Sequence, residues 1–303
     1  MSRPRRSLLR RYLEVRGAIG GLRHPELVAR IRTADGVALR GSYLVAAGPS
    51  VNGDAEVVGY GEAARERAAA NAKVAVLLAH GFMANRRKPS YARLAEAIAE
   101  RLPVLALDLR GHGASAGRST LGDREALDVE AGVAWLRSIG HRRVIAVGAS
   151  MGETSVLHAA ARGLELSGVV TVSAPAIFRQ PPHGRPLAQL HGVWHSPLKR
   201  RALRAGFGVR LDGPEVWSDP PHPREMAGGF EAPLLLVHGD DDTYFPCGDA
   251  DLIAQGANGR AVVWHEPVGF GHAEDGFTPA FVARLADAIA VVAETGAFPE
   301  WTG

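Results

Sequence analysis

The sequence predicts an α/β protein: a mostly parallel central sheet flanked by helices, with an antiparallel N-terminal hairpin and an inserted cap. Three observations carry this. Short apolar runs recur at 74–79, 104–107, 144–147, 169–172 and 234–237, with 262–264 a further candidate. Runs this short and uniformly apolar suit strands buried on both faces of a parallel sheet. Helical patterns separate them, the alternation of a three-layer α/β domain. One segment, 175–229, breaks the rhythm: rich in Pro, His and Arg and lacking strand runs, it reads as a cap inserted between two sheet strands.

Residues 1–23 form a basic arm. Arg3, Arg5, Arg6, Arg10, Arg11 and Arg16 are interleaved with Leu8, Leu9, Tyr12, Leu13 and Ile19, which predicts a short amphipathic helix. Such a segment is solvated or packs on the body; its arginines also suit a weak peripheral contact with anionic lipid. The core spans 24–174 and 230–303. It opens with a strand at 27–33, a tight turn at Asp35-Gly36, and a return strand with Val37, Leu39, Gly41, Tyr43 and Val45 on one face. Residues 48–70, rich in Gly, Ala and charge, read as a surface excursion. Helices are expected at 91–101 (Leu94, Ile98), 125–139 (Val129, Val133, Leu136), 151–163 and 276–293.

The bulk numbers narrow the function classes. A 303-residue chain, 46% hydrophobic and 22% charged, can bury a full core around a single sheet. The net charge of +3 is too small to imply a nucleic-acid partner, and none is expected. Lysine occurs only at Lys73, Lys88 and Lys199; this arginine bias, with abundant Ala and Gly, fits a GC-rich, bacterial coding sequence. No apolar run is long enough for a signal peptide core or a membrane span, so a cytoplasmic location is expected. Cys247 stands alone, which excludes an intrachain disulfide or a cysteine-based metal cluster. No cofactor or metal is implied, and the oligomeric state is left open.

The strongest chemical signal is Gly148-Ala149-Ser150-Met151-Gly152, directly after the run 144–147. A serine between two glycines, leaving a strand and opening a helix, is a nucleophile elbow. The small flanking residues let neighbouring backbone pass close by, and Ser150 is lifted above the sheet edge. A serine hydroxyl needs an adjacent base. His272, in the Gly-rich loop Gly269-Phe270-Gly271-His272, follows the last strand candidate and precedes the final helix. The imidazole needs a carboxylate to fix its tautomer. Asp240, Asp241 and Asp242 follow the run 234–237, whereas the loop at 173–176 has no acid. The backbone N–H groups of Met151 and, from the loop His80-Gly81-Phe82-Met83, of Phe82 are the expected oxyanion donors. A hard cation on the three aspartates, or a metal on His183, His191 and His195, are the weaker alternatives.

With these residues in place the chain resembles the α/β-hydrolase superfamily, particularly its serine-aminopeptidase-like and monoacylglycerol-lipase-like branch. The matching motifs are His80-Gly81-Phe82, Asp108-Leu109-Arg110-Gly111-His112-Gly113, the elbow, His238-Gly239-Asp240-Asp241-Asp242 and Gly271-His272. The resemblance implies an α/β-hydrolase fold, selects Asp242 from the three aspartates, and gives His80 and His112 structural roles. Two features depart from the family pattern. Glu153 stands where Gly or Ala is usual; an acid in the first turn suits the helix dipole and is read as structural, the alternative being that it crowds or charges the site. The cap matches no lid of the family, and its Phe178, Trp194, Phe207 and Trp217 either line an acyl pocket or form a small core of their own.

The resemblance implies a serine hydrolase acting on a small-molecule carboxylic ester or other acyl substrate. Thioester, amide, peptide or carbon–carbon bond cleavage would use the same triad, and fold alone does not choose among them. Epoxide hydrolases and haloalkane dehalogenases of this fold carry Asp at the elbow, so Ser150 argues against both. A catalytically silent, ligand-binding member is the alternative of another class.

Overall fold

The structure, a computed structural model, describes residues 8–15, 20–22, 26–45, 73–178, 184–267 and 269–300. The excursion at 48–70, His183 and Arg3, Arg5, Arg6 and Arg16 of the arm fall outside them. Eight strands form one sheet: β1 (Leu27–Arg32), β2 (Ala38–Leu44), β3 (Val74–Ala79), β4 (Val104–Asp108), β5 (Arg143–Ala149), β6 (Gly168–Val172), β7 (Leu234–Gly239) and β8 (Ala261–Glu266). Their spatial order is β1-β2-β4-β3-β5-β6-β7-β8. Strand β2 is antiparallel to both β1 and β4, and every pairing from β4 to β8 is parallel. The hairpin turns at Gly36, whose φ of +84° suits glycine.

The uniformly apolar runs have two buried faces. In β3, Ala75, Leu77 and Ala79 point into one core and Val74, Val76 and Leu78 into the other. The first core is closed by α3 (Ala126–Ser138), α4 (Met151–Ala161) and α8 (Asp249–Gly256). The second is closed by α2 (Pro89–Ala99) and α9 (Pro279–Thr295), through Tyr91, Leu94 and Ile98 and through Phe281, Leu285 and Ile289.

The N-terminal residues supply α1 (Leu8–Val15), where an amphipathic helix is expected. The segment between β6 and β7 carries α5 (Gly184–Trp194), α6 (Pro197–Phe207) and α7 (Pro223–Met226). Leu203 of α6, Val209 and Leu211 pack with Val15 of α1 against Phe82, Met83 and Leu121. The four aromatics assigned to a pocket or a small core divide. Trp217 packs edge-on against Phe178 and Trp194, with ring centroids 5.4 and 5.6 Å away, whereas Phe207 meets Tyr12 at 6.1 Å. Among the described residues no helix is long and apolar enough to cross a membrane.

Candidate active site

The strand order places the site. The chain passes from β3 outward to β4, then returns to lay β5 on the other side of β3. The loops leaving β3 and β5 therefore diverge and open a crevice at the carboxyl ends of the strands. One loop carries His80-Gly81-Phe82 and the other carries Ser150.

Ser150 has φ 51° and ψ −119°, a conformation that costs a non-glycine residue energy and persists only where its surroundings enforce it. They do. A Cβ at Gly148 would lie 2.5 Å from Glu153 Cα, and one at Gly152 would lie 2.4 Å from the Ala79 carbonyl oxygen. The two glycines thus let the strand–helix turn close on itself and dock on the end of β3. Ser150 N–H donates to Val172 O at 2.9 Å, tying the turn to β6.

His272 Nε2 lies 2.8 Å from Ser150 Oγ, and its Nδ1 lies 2.8 Å from Asp242 Oδ2. The Asp242 side chain is fully buried. Its Oδ1 accepts from Tyr244 N–H at 2.7 Å and Phe245 N–H at 3.1 Å, and its Oδ2 faces His238 Nε2 at 3.3 Å. Burial drives the Asp242 pKa up, but the hydrogen bonds from His238 and His272 outweigh it and hold the group far below the usual carboxylate range. It stays anionic wherever His272 can act. The other two aspartates serve elsewhere: Asp241 accepts from Gly269 N–H at 2.6 Å, and Asp240 takes the Cys247 thiol at 3.2 Å.

The loop after β3 approaches the serine closely. A Cβ at Gly81 would sit 3.4 Å from Ser150 Cβ, so the Gly81-Phe82 backbone runs alongside the serine. His80 and His112 hold that loop. His80 Nε2 accepts from Leu109 N–H at 3.0 Å while its Nδ1–H donates to Gly81 O at 2.8 Å. His112 Nε2 accepts from Met83 N–H at 3.3 Å, and its Nδ1–H donates to Arg110 O at 3.0 Å. Burial lowers their pKa values to about 4 and about 3, which keeps both rings in the single tautomer these bonds require.

Several residues of the site carry no motif in the sequence. Tyr244 stacks on the His272 ring at 4.2 Å with an interplanar angle of 27°, and Phe245 packs against it edge-on. His238, read only as part of a motif, is a second imidazole on Asp242. Glu274 forms an ion pair with Lys88 and accepts from Tyr91 Oη at 2.9 Å; that hydroxyl in turn accepts from Gly81 N–H at 2.8 Å. The loop of His272 and the loop of Gly81 are thereby joined through one tyrosine. Only distance could reveal this: Glu274 lies 183 residues from Tyr91.

Glu153 lies inside the fold, in keeping with a structural role. It is fully buried, and neither carboxylate oxygen has a hydrogen-bond partner among the described residues. Burial, with the nearby Asp249 carboxylate, raises its pKa well above the usual value, which disfavours the charge it would bring to the site or to the helix dipole. No group of three metal-ligating side chains occurs among the described residues, and the rings of His191 and His195 lie 4.0 Å apart, tilted by 36°.

The chain matches the family profile described as alpha/beta hydrolase fold over residues 74–218. An esterase from Pyrococcus furiosus is similar at a TM-score of 0.62 and 20% identity, covering 87% of this chain and 91% of its own. An esterase from a Rhodococcus species gives 0.58 at 18% identity, covering 88% and 98%. A thermophilic esterase from Thermogutta terrifontis gives 0.60 at 18% identity, covering 88% and 99%. Compared with curated protein sequences, the chain has no significant match. At these identities the structural likeness is one of fold, and together with the family profile it shows that this chain has the α/β-hydrolase fold.

Proposed function

We propose that the chain is a serine hydrolase that cleaves a carboxylic ester through an acyl-enzyme on Ser150. The observation that carries this is the unbroken line Ser150 Oγ–His272–Asp242, with both contacts at 2.8 Å, at a strand–helix turn held in a left-handed conformation. Ser150 Oγ attacks the ester carbonyl carbon as its proton passes to His272 Nε2. Asp242 holds the ring through Nδ1–H and stabilises the imidazolium. The backbone N–H groups of Phe82 and Met151 donate to the developing oxyanion. Collapse breaks the C–O bond, and His272 returns the proton to the leaving alkoxide. His272 then deprotonates a water, which attacks the acyl carbon, releases the acid and restores Ser150. The esterase neighbours favour an ester over the other acyl substrates this triad could process.

Turnover of p-nitrophenyl esters from acetate to laurate, by wild type and by Ser150→Ala, tests the proposal. The expected loss in the variant is at least about a thousandfold, and the chain-length optimum reports the acyl group accepted. Equal slow hydrolysis by both proteins would overturn the assignment for esters.

A further inference from the structure

A second site lies on the segment between β6 and β7. A cavity of about 300 Å³ is lined by five arginines, Arg118, Arg200, Arg201, Arg204 and Arg210, with Pro197 and Leu211 completing its wall. We propose that this pocket binds a phosphomonoester, and the inference stands apart from the ester chemistry at Ser150.

The arginines come from three stretches of chain that are tied together. Ser119 N–H donates to Arg210 O at 2.7 Å and Asp212 N–H to Ser119 O at 2.9 Å, so Arg118 and Arg210 stand on a fixed floor opposite the face of α6. Two guanidiniums are held in place: Arg118 pairs with Asp212 and donates to Leu211 O at 2.7 Å, and Arg200 reaches Trp194 O and lies 3.8 Å from Glu215. Five cations thus face two carboxylates. Arg201 and Arg204 are exposed and form no ion pair among the described residues. Arg210 is bonded through one terminal nitrogen to Ser115 O, while its buried Nε has no acceptor among the described residues. Burial lowers the Arg210 pKa, and repulsion from Arg204 and Arg118 lowers it further. This is a cluster under its own repulsion, which an anion of two charges would relieve.

Guanidinium forks match the oxygens of phosphate or carboxylate two at a time. The excess of cations over carboxylates favours the doubly charged phosphomonoester over a single carboxylate. The volume admits a phosphate and a small organic group. The phosphate could come from a soluble metabolite or from a lipid headgroup. The second source gains support from Leu198, 74% exposed beside Pro197, which could enter a bilayer while the arginines hold the headgroup.

Titration calorimetry of the full chain with inorganic phosphate and with glycerol 3-phosphate, and co-sedimentation with phosphatidylcholine vesicles with and without phosphatidic acid, test the site. Arg201→Ala/Arg204→Ala removes two unpaired cations without breaking an ion pair. Arg124→Ala/Arg137→Ala removes the same charge elsewhere. The expected result is saturable binding that weakens at least tenfold in the first variant and is retained by the second. Binding of glycerol 3-phosphate marks a soluble ligand. Binding confined to phosphatidic acid vesicles, and lost in the first variant alone, marks a headgroup. Absence of saturable binding to all these probes, or equal weakening in the two variants, would overturn the proposal.

Discussion

Two glutamates stand on opposite sides of the candidate active site, each within three residues of a member of the Ser150–His272 pair, and their fates are opposite. Glu274, two residues after His272, has a side chain 15% exposed, and its pKa falls to about 2. Burial opposes that fall; the Lys88 cation and the hydrogen bonds from Lys88 and Tyr91 overcome it. Glu153, three residues after Ser150, is fully buried without a partner, and burial, then Asp249, drives its pKa well up. Exposure differs modestly while partners differ completely. Burial on its own discharges a carboxylate, and a cation within reach reverses that. The loop that carries His272 is thus held by an ion pair, whereas the first turn of α4 is packed around an acid with no partner among the described residues.

The linkage to stability therefore has opposite signs. Glu274, with a folded pKa below its ordinary 4.5, contributes stability that is present above pH 4.5 and lost as pH falls toward 2. That contribution is on the order of 3 kcal/mol. Glu153, with a folded pKa above 4.5, adds no pH-dependent cost below that pH and weighs increasingly against the native state as pH rises through the window above it.

The contrast can be broken most forcefully at Lys88. Lys88→Met leaves the Glu274 carboxylate largely buried without its cation, and urea unfolding at pH 7 should show a loss of about 3–4 kcal/mol. Glu274→Gln comes next, at about 2 kcal/mol, and should also abolish the acid-side loss of stability between pH 4.5 and 2. Tyr91→Phe deprives Gly81 N–H of its acceptor and should cost about 1–2 kcal/mol. Because Gly81 precedes the Phe82 donor, kcat for an ester substrate should fall about tenfold with KM little changed. Glu153→Gln should be the mildest, shifting stability at pH 4 by no more than about 1 kcal/mol. Its signature is a flatter stability profile above pH 4.5.

Legibility in the sequence followed the range of the interactions. Ser150 and His272 sit in short Gly-containing loops after strands and could be read from local pattern and order, whereas the choice of Asp242 among Asp240, Asp241 and Asp242 needed the family resemblance. The sheet was readable for the same reason: Val74, Val76 and Leu78 alternate faces with Ala75, Leu77 and Ala79, and both faces are apolar. Tyr91, Lys88 and Glu274 were not readable, because an acid near the base loop gains its meaning only from a lysine and a tyrosine far away in the chain. The helices α5 and α6 were not read from the sequence: α5 has no fully buried residue and α6 only Leu203, so neither stands out as a core helix. The pocket arginines are spread from 118 to 210 in the chain, and only the fold gathers them.

The most direct test of the central claim is covalent labelling with a fluorophosphonate, read by intact mass and by peptide mapping. The account predicts a single adduct on Ser150, absent in Ser150→Ala and strongly slowed in His272→Ala. No adduct on the wild-type protein, or an adduct that forms equally in Ser150→Ala, would contradict it.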